Sequence, residues 1–155
     1  DKRGRVIVQG SGGMAKAVVA AFKHSGFEHL KIFARNEKTG KNLAALYGYE
    51  YIPSLGNQSA DILANVTPIG MKGGKEEFDL AFPEHLIQQV QTAFDVVAIP
   101  AETPFIQFAQ QQGKQTISGA EVIVLQAVEQ FELYTGVRPD EQLIAEAAAF
   151  ARKNS

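Results

Sequence analysis

The sequence lacks the residues and patterns on which several classes of protein depend. It has no cysteine among its 155 residues, which excludes disulfides, thiolate catalysis and cysteine-ligated metal sites. No apolar run approaches the roughly 18 residues that span a bilayer, and no signal-peptide pattern precedes the first predicted strand. The net charge of −2 gives no electrostatic case for nucleic acid or an acidic membrane, and the three histidines lack metal-ligand spacing. We therefore expect a soluble cytoplasmic protein without nucleic-acid, membrane or metal partners.

The composition that remains is that of one globular domain, with 45% hydrophobic and 21% charged residues. Short apolar segments alternate with amphipathic ones, which is typical of a parallel sheet covered by helices on both sides. The predicted strands are 5–9, 30–34, 49–52, 61–66, 92–99 and 115–117, and the predicted helices are 13–24, 37–47, 83–89, a helix from 104, 119–134 and 140–152. We interpret residues 1–155 as one three-layer α/β domain of Rossmann type, with a mainly parallel, doubly wound sheet.

Apolar residues at helical spacing predict which face each helix buries. Gly40 should weaken the early turns of its helix. The residues predicted to face inward are Val18, Ala21, Phe22 and Ser25 in the first helix, Leu43, Leu46 and Tyr47 in the second, Phe105, Phe108 and Ala109 in the fourth, Val124, Leu125, Val128 and Phe131 in the fifth, and Leu143, Ala147, Phe150 and Ala151 in the last.

A glycine-rich turn joins the first strand to the first helix, with Gly10, Ser11, Gly12, Gly13, Met14 and Ala15 in sequence. Its spacing is G-x-G-x-x-A, the dinucleotide-binding fingerprint with alanine in the third place. Gly10 permits the tight turn, Gly12 lets the backbone approach a pyrophosphate, and Ala15 lets helix and strand pack closely. The N–H groups at the helix start would then face the phosphates. The alternative is an α/β domain that binds no nucleotide.

The end of the second strand indicates which dinucleotide is bound. NAD-selective sites carry an acid there, on the ribose 2′-hydroxyl, whereas this sequence has Arg35 followed by Lys38 and Lys41. The planar fork of arginine matches the oxygens of a 2′-phosphate. NADP is favoured over NAD, and the alternative is a solvated helix start.

With these residues placed, the sequence resembles the NADP-binding, C-terminal domain of shikimate/quinate dehydrogenases and their paralogues, a family of aromatic amino acid biosynthesis. The likeness covers nearly the whole chain. It rests on five motifs in order: Gly10–Ala15, Ala34–Asn36, Asn65–Met71, Asp95–Pro104, and a last motif of Gly119, Gln126, Phe131 and Thr135-Gly136.

The resemblance implies functional residues beyond the glycine turn and Arg35. Asn65, Thr67, Val96 and Gly119 would border the cofactor, with Gly119 at the nicotinamide, and Gln126 would reach a substrate hydroxyl. Without the family argument, Gln126 is as well explained as a buried structural amide. The sequence departs from the family at Ala98, where a tyrosine is usual, and at Val122, where a methionine is common.

The resemblance also implies that this chain is the cofactor half of a two-domain enzyme. The family's catalytic Lys–Asp pair lies in a preceding substrate domain, so we predict no catalytic residue here, and residues 119–152 would pack toward that domain. The absent initial methionine is compatible with a piece of a longer protein. The small-molecule partner would be a cyclic hydroxy acid such as shikimate or quinate, and a homodimer stays open.

Two alternatives to this function remain. One is an NADP-binding sensor or partner module that lost turnover when Ala98 and Val122 arose. The other is a related two-domain NADP enzyme, such as a methylene-tetrahydrofolate dehydrogenase or a glutamyl-tRNA reductase, against which the last motif speaks.

Overall fold

The sheet is parallel and doubly wound, as predicted. The computed structural model describes the backbone of residues 2–153 and the side chains of residues 2–150. Within these residues six strands pair in the order β3-β2-β1-β4-β5-β6, and each pair is parallel. The strands are β1 (Val6–Gln9), β2 (Leu30–Phe33), β3 (Glu50–Ile52), β4 (Ile62–Asn65), β5 (Thr92–Asp95) and β6 (Gln115–Ile117). The strand order reverses at β1, so ligands are expected at its carboxyl end.

Helices cover both faces of this sheet and complete a three-layer domain. Because side chains alternate along a strand, Ile7 of β1 faces one core while Val8 faces the other. The first core contains residues of α3 and α4, and the second contains residues of α1 and α2. The helices of the described residues are α1 (Gly13–His24), α2 (Glu37–Tyr47), α3 (Glu84–Gln89), α4 (Pro104–Gln111), α5 (Gly119–Thr135) and α6 (Glu141–Lys153).

The fifth strand is shorter than the predicted range 92–99. β5 ends at Asp95 because the carboxylate of Asp95 accepts the N–H of Val97 at 3.0 Å, which turns the backbone out of the ladder. Val96 therefore lies in the loop that follows the strand and not within it. That loop contains a cis peptide bond between Ile99 and Pro100.

The packing of α2 corrects two predictions. Leu43 is buried and Tyr47 is partly buried against the same core, as predicted, whereas Leu46 is 65% exposed and Ala44 takes the buried position instead. Gly40 is buried, and a Cβ there would lie 2.7 Å from the Tyr51 ring. This glycine allows the helix to approach β3, and its helix-weakening effect is offset by close packing.

Apolar periodicity overstated the burial of α1, α5 and α6, whereas on α4 Phe105 and Ala109 are buried and Phe108 is partly buried, as predicted. The side chain of Ala151 lies outside the described residues. On α1, Ala21 and Ser25 are exposed, and Ala15 and Val19 take the buried positions. On α5 and α6, Val124 and Val128 are buried, as predicted, but further apolar side chains face solvent. These exposed residues include Leu125, Phe131, Leu143, Ala147 and Phe150. Among the described residues, no helix combines the length and apolar character needed to cross a bilayer.

Candidate functional site

A cleft opens where β1, β2 and β4 end, at the point where the strand order reverses. Its volume is about 310 Å³. Three segments predicted as cofactor-binding meet there, namely the glycine turn, the end of β2 and the loop after β4. The lining residues are Gln9, Gly10, Ser11, Gly12, Phe33, Ala34, Arg35, Asn36, Val66, Thr67, Pro68, Ile69 and Glu76.

Glycine suits the first two fingerprint positions for different physical reasons. Gly10 has a φ of +129°, and a Cβ there would lie 2.8 Å from the carbonyl oxygen of Val66. The fold itself therefore requires glycine at this position. Gly12 has an ordinary φ of −81°, and among the described residues no atom comes within 4 Å of a Cβ built on Gly12 or Gly13. This open space beside the start of α1 is the cradle that a bound pyrophosphate would fill, so the residues present fit a dinucleotide.

The glycine turn is fastened to its neighbours on both sides. Ala15 is fully buried in the core beneath α1. On the other side, the hydroxyls of Ser11 and Thr39 are hydrogen-bonded at 2.7 Å. Asn36 caps α2 by accepting the N–H of Thr39 at 3.1 Å. The sequence does not predict this role of Thr39. The spacing of Asn36 and Thr39 indicates a helix cap, but no local pattern indicates the contact of Thr39 with Ser11.

Arg35 lies in the cleft, where it is held by a carboxylate that the sequence did not predict. Its Nη1 donates to Oε2 of Glu76 at 3.0 Å and its Nη2 donates to Oε1 of the same residue. The hydrogen bonds raise the pKa of Arg35 and lower the pKa of Glu76. Lys38 is exposed on the first turn of α2 and is not among the described residues lining the cleft. Lys41 instead pairs with Glu37 at 2.5 Å.

A buried polar network supports the loop that carries Thr67. Asn65 and Asp95, at adjacent ends of β4 and β5, are both fully buried. Oδ1 of Asn65 accepts the N–H and the hydroxyl of Thr67 at 3.1 and 2.6 Å, while its Nδ2 donates to Asp95 at 3.0 Å. As placed, Asn65 is enclosed by protein and would act on a cofactor by positioning Thr67.

Asp95 ties this loop to the start of α4. Its Oδ2 accepts the hydroxyl of Thr103 at 2.7 Å, and Thr103 caps α4 by accepting the N–H of Ile106. Burial raises the pKa of Asp95 to about 6, against the opposing effect of its hydrogen bonds from Val97, Thr103 and Asn65. No local sequence pattern indicates this network, because Asn65 and Thr103 lie on other segments of the chain.

Three further predicted site residues line a second, apolar groove of about 380 Å³ between α1 and α5, namely Met14, Val96 and Gln126. Met14, Val96, Val122 and Gln126 line it together with aromatic side chains such as Phe22 and Phe94. Gln126 is exposed and not the buried amide of the alternative reading. The cleft and the groove thus each contain some of the predicted site residues, whereas Gly13, Ala15, Lys38, Asn65 and Gly119 are not among the described residues that line either one.

Gly119 lies at the first position of α5, after the capping box of Ser118 and Glu121 that the sequence predicts. A Cβ at Gly119 would collide with the carbonyl oxygens of Val96 and Val97. The close approach of α5 to the loop after β5 explains this glycine by packing, and its place at a nicotinamide stays a prediction.

The sequence is similar to proteins described as shikimate dehydrogenases or shikimate dehydrogenase-like. No protein-family model matches the sequence. A shikimate dehydrogenase-like protein of Haemophilus influenzae is 75% identical over 152 residues, which are 98% of this chain and 56% of that protein. A shikimate dehydrogenase (NADP(+)) of Leptospira interrogans is 34% identical, over 91% of this chain and 52% of its own length.

Solved structures agree with these sequence relatives. A shikimate 5-dehydrogenase-like protein superimposes with a TM-score of 0.93 at 75% identity, covering 98% of this chain and 56% of that one. The Thermus thermophilus shikimate 5-dehydrogenase, in complex with NADP(H) and shikimate, gives a TM-score of 0.80 at 27% identity, over 97% of this chain and 56% of its own. This chain therefore spans about half the length of the proteins that it matches.

Proposed function

Because this chain matches the C-terminal, NADP-binding half of shikimate dehydrogenase-like proteins, we propose that it binds NADP across the carboxyl ends of β1, β2 and β4. The observation that carries this proposal is the cleft itself. It combines the open cradle at Gly12 and Gly13 with a guanidinium, that of Arg35, on the adjacent β2–α2 loop.

Each part of the cleft would hold one part of the cofactor. The backbone N–H groups of the turn from Gly10 to Met14 would bind the pyrophosphate, aided by the positive end of the α1 dipole. Arg35 would form charge-assisted hydrogen bonds to the 2′-phosphate, and Lys38 would contribute through its charge alone. Thr67, held by Asn65, would border the adenosine or its ribose.

The apolar groove would serve the reacting end of the cofactor. Met14, Val96 and Gly119 would exclude water around the nicotinamide, whose chemistry is the exchange of a hydride. Gln126 would orient a ring hydroxyl of the substrate through its amide. The small side chains of Ala98 and Val122 leave this end wider than in the family pattern.

The proposed whole protein is an oxidoreductase that transfers a hydride between NADP(H) and a ring hydroxyl of shikimate, quinate or a similar cyclic hydroxy acid. Its proton-transferring groups would come from the preceding domain, so this chain alone should be inactive. The many large apolar side chains exposed on α5 and α6 support such a partner, because it would remove them from water. Leu133 and Tyr134 on α5 are 80% and 83% exposed.

The alternative of an NADP-binding module without turnover rests on Ala98 and Val122. Val122 lines the groove and Ala98 is half-buried in the loop after β5. Assaying the whole protein with NADP and a panel of cyclic hydroxy acids separates the two functions. Tight cofactor binding with no oxidation of any panel member would exclude the enzyme.

The test of cofactor choice is calorimetric titration of the chain with NADPH and NADH, before and after Arg35→Ala. Losing charge-assisted contacts to phosphate should weaken the binding of NADPH by about 1.5–3 kcal/mol, about 10- to 150-fold. The affinity for NADH should stay nearly unchanged. The matched control is Arg138→Ala, since Arg138 is a surface arginine paired with Glu129 and Glu132 on α5. Equal weakening of NADPH and NADH would show that Arg35 does not read the 2′-phosphate.

A further inference from the structure

The ion pair between Arg35 and Glu76 bridges the mouth of the candidate cleft. Arg35 follows β2 and Glu76 lies in the loop after β4, and these two strands flank β1 on opposite sides. The pair therefore spans the end of β1, above the glycine turn, and both residues line the cleft. The carboxylate meets the guanidinium through two parallel hydrogen bonds, the fork geometry that arginine also uses for phosphate.

The loop that carries Glu76 is fastened by its own backbone. The carbonyl oxygen of Glu76 accepts the N–H of Gly70 at 2.9 Å and that of Asp79 at 3.2 Å. Nearby, the carboxylate of Glu77 accepts the N–H of Gly73 at 2.9 Å. These bonds hold the backbone of Glu76 at the cleft, so its carboxylate remains near Arg35 whether or not the two are in contact.

From this arrangement we propose that Glu76 is a specificity-determining residue, a built-in competitor for the 2′-phosphate of NADP at Arg35. The inference rests on the proposed function. A carboxylate and a phosphate cannot both take the same face of one guanidinium, and each repels the other when close. Binding of NADP(H) must break the pair, whereas NAD(H) brings no phosphate to that position. Glu76 thereby lowers the preference for NADP(H) that Arg35 creates.

The test is the ratio of the NADPH and NADH dissociation constants of the chain with Glu76→Gln. An exposed ion pair is worth up to about 1 kcal/mol, so removing the competing charge should lower the dissociation constant of NADPH up to about fivefold. NADH should change less than twofold. Glu77→Gln is the matched control, because it removes the same charge from the next residue and keeps an acceptor for Gly73. It should leave the ratio within twofold of the unmodified chain.

A double-mutant cycle separates the failure of this inference from the failure of the proposed function. In the Arg35→Ala background the competition for the guanidinium is gone and only the direct repulsion between carboxylate and phosphate remains, so Glu76→Gln should tighten the binding of NADPH by less than it does in the unmodified chain. If Arg35→Ala lowers the preference for NADPH but Glu76→Gln leaves it unchanged, Glu76 does not compete and the inference is wrong. If Glu76→Gln weakens NADH, the carboxylate binds the ribose, and the inference is again wrong. If Arg35→Ala leaves the NADPH preference intact, the proposed 2′-phosphate site itself fails.

Discussion

Asp95 should make the stability of the domain fall as the pH rises, and Asp95→Asn should remove that dependence. The carboxylate is fully buried and its pKa is raised to about 6, first by burial. A raised pKa means that the folded chain binds a proton more tightly than the unfolded chain does. The contribution of this proton to stability is therefore complete below about pH 4 and is lost as the pH rises through 6.

The size of the effect follows from the two pKa values. The difference between about 6 in the fold and the ordinary 3.8 corresponds to about 3 kcal/mol at roughly 1.4 kcal/mol per pKa unit. An asparagine can keep the network, with its carbonyl oxygen accepting from Asn65 and Val97 and its amide donating to Thr103. The free energy of unfolding of the Asp95→Asn chain, minus that of the unmodified chain, should thus increase by about 2.5 kcal/mol between pH 4 and pH 8, which is most of the full difference.

Urea unfolding at several pH values measures this difference, and far-UV circular dichroism is the suitable probe because the sequence has no tryptophan. Asp61→Asn is the control. Hydrogen bonds from Arg5 lower the pKa of Asp61, so losing that carboxylate should cost stability at neutral pH and not add to it. A difference between Asp95→Asn and the unmodified chain that stays constant across the range would refute the argument.

The remaining predictions concern the glycine turn. Gly10→Ala should destabilise the fold by about 2 kcal/mol or more, because Gly10 has a positive φ and a Cβ there would meet the carbonyl oxygen of Val66. Thermal melting measures this effect, and a melting temperature equal to that of the unmodified chain would contradict it. Gly12→Ala should change the melting temperature little, since its Cβ enters open space among the described residues, yet weaken NADPH and NADH alike by at least about tenfold. Undiminished binding by a folded Gly12→Ala chain would place the pyrophosphate elsewhere.

Local signals in the sequence were sufficient to predict the order of the strands and helices and the position of the glycine turn. The turn from Gly10 to Ala15, the caps at Thr103 and Ser118 and the cation at Arg35 are each encoded within a few neighbouring residues. Propensity and periodicity act over that same range, so these features could be predicted.

Contacts between distant segments could not be predicted in this way. Glu76 is 41 residues from Arg35, and no local pattern in an irregular loop indicates which cation it will meet. β5 ends at Asp95, whose carboxylate accepts hydrogen bonds from Asn65 and Thr103. These contacts also join distant segments and so leave no local pattern. The apolar spacing on α5 and α6 identified residues such as Phe131 that are suited to burial, but it does not state which surface buries them.

A bound dinucleotide should lie over the glycine turn at the carboxyl ends of β1, β2 and β4. Nuclear magnetic resonance of the ¹⁵N-labelled chain during titration with NADPH tests it most directly. We expect the largest shifts at the backbone amides of Gly12 and Gly13, with further shifts at Arg35 and Thr67. Shifts confined to the opposite end of the strands, around Lys31 and Glu50 at the amino ends of β2 and β3, would contradict this placement.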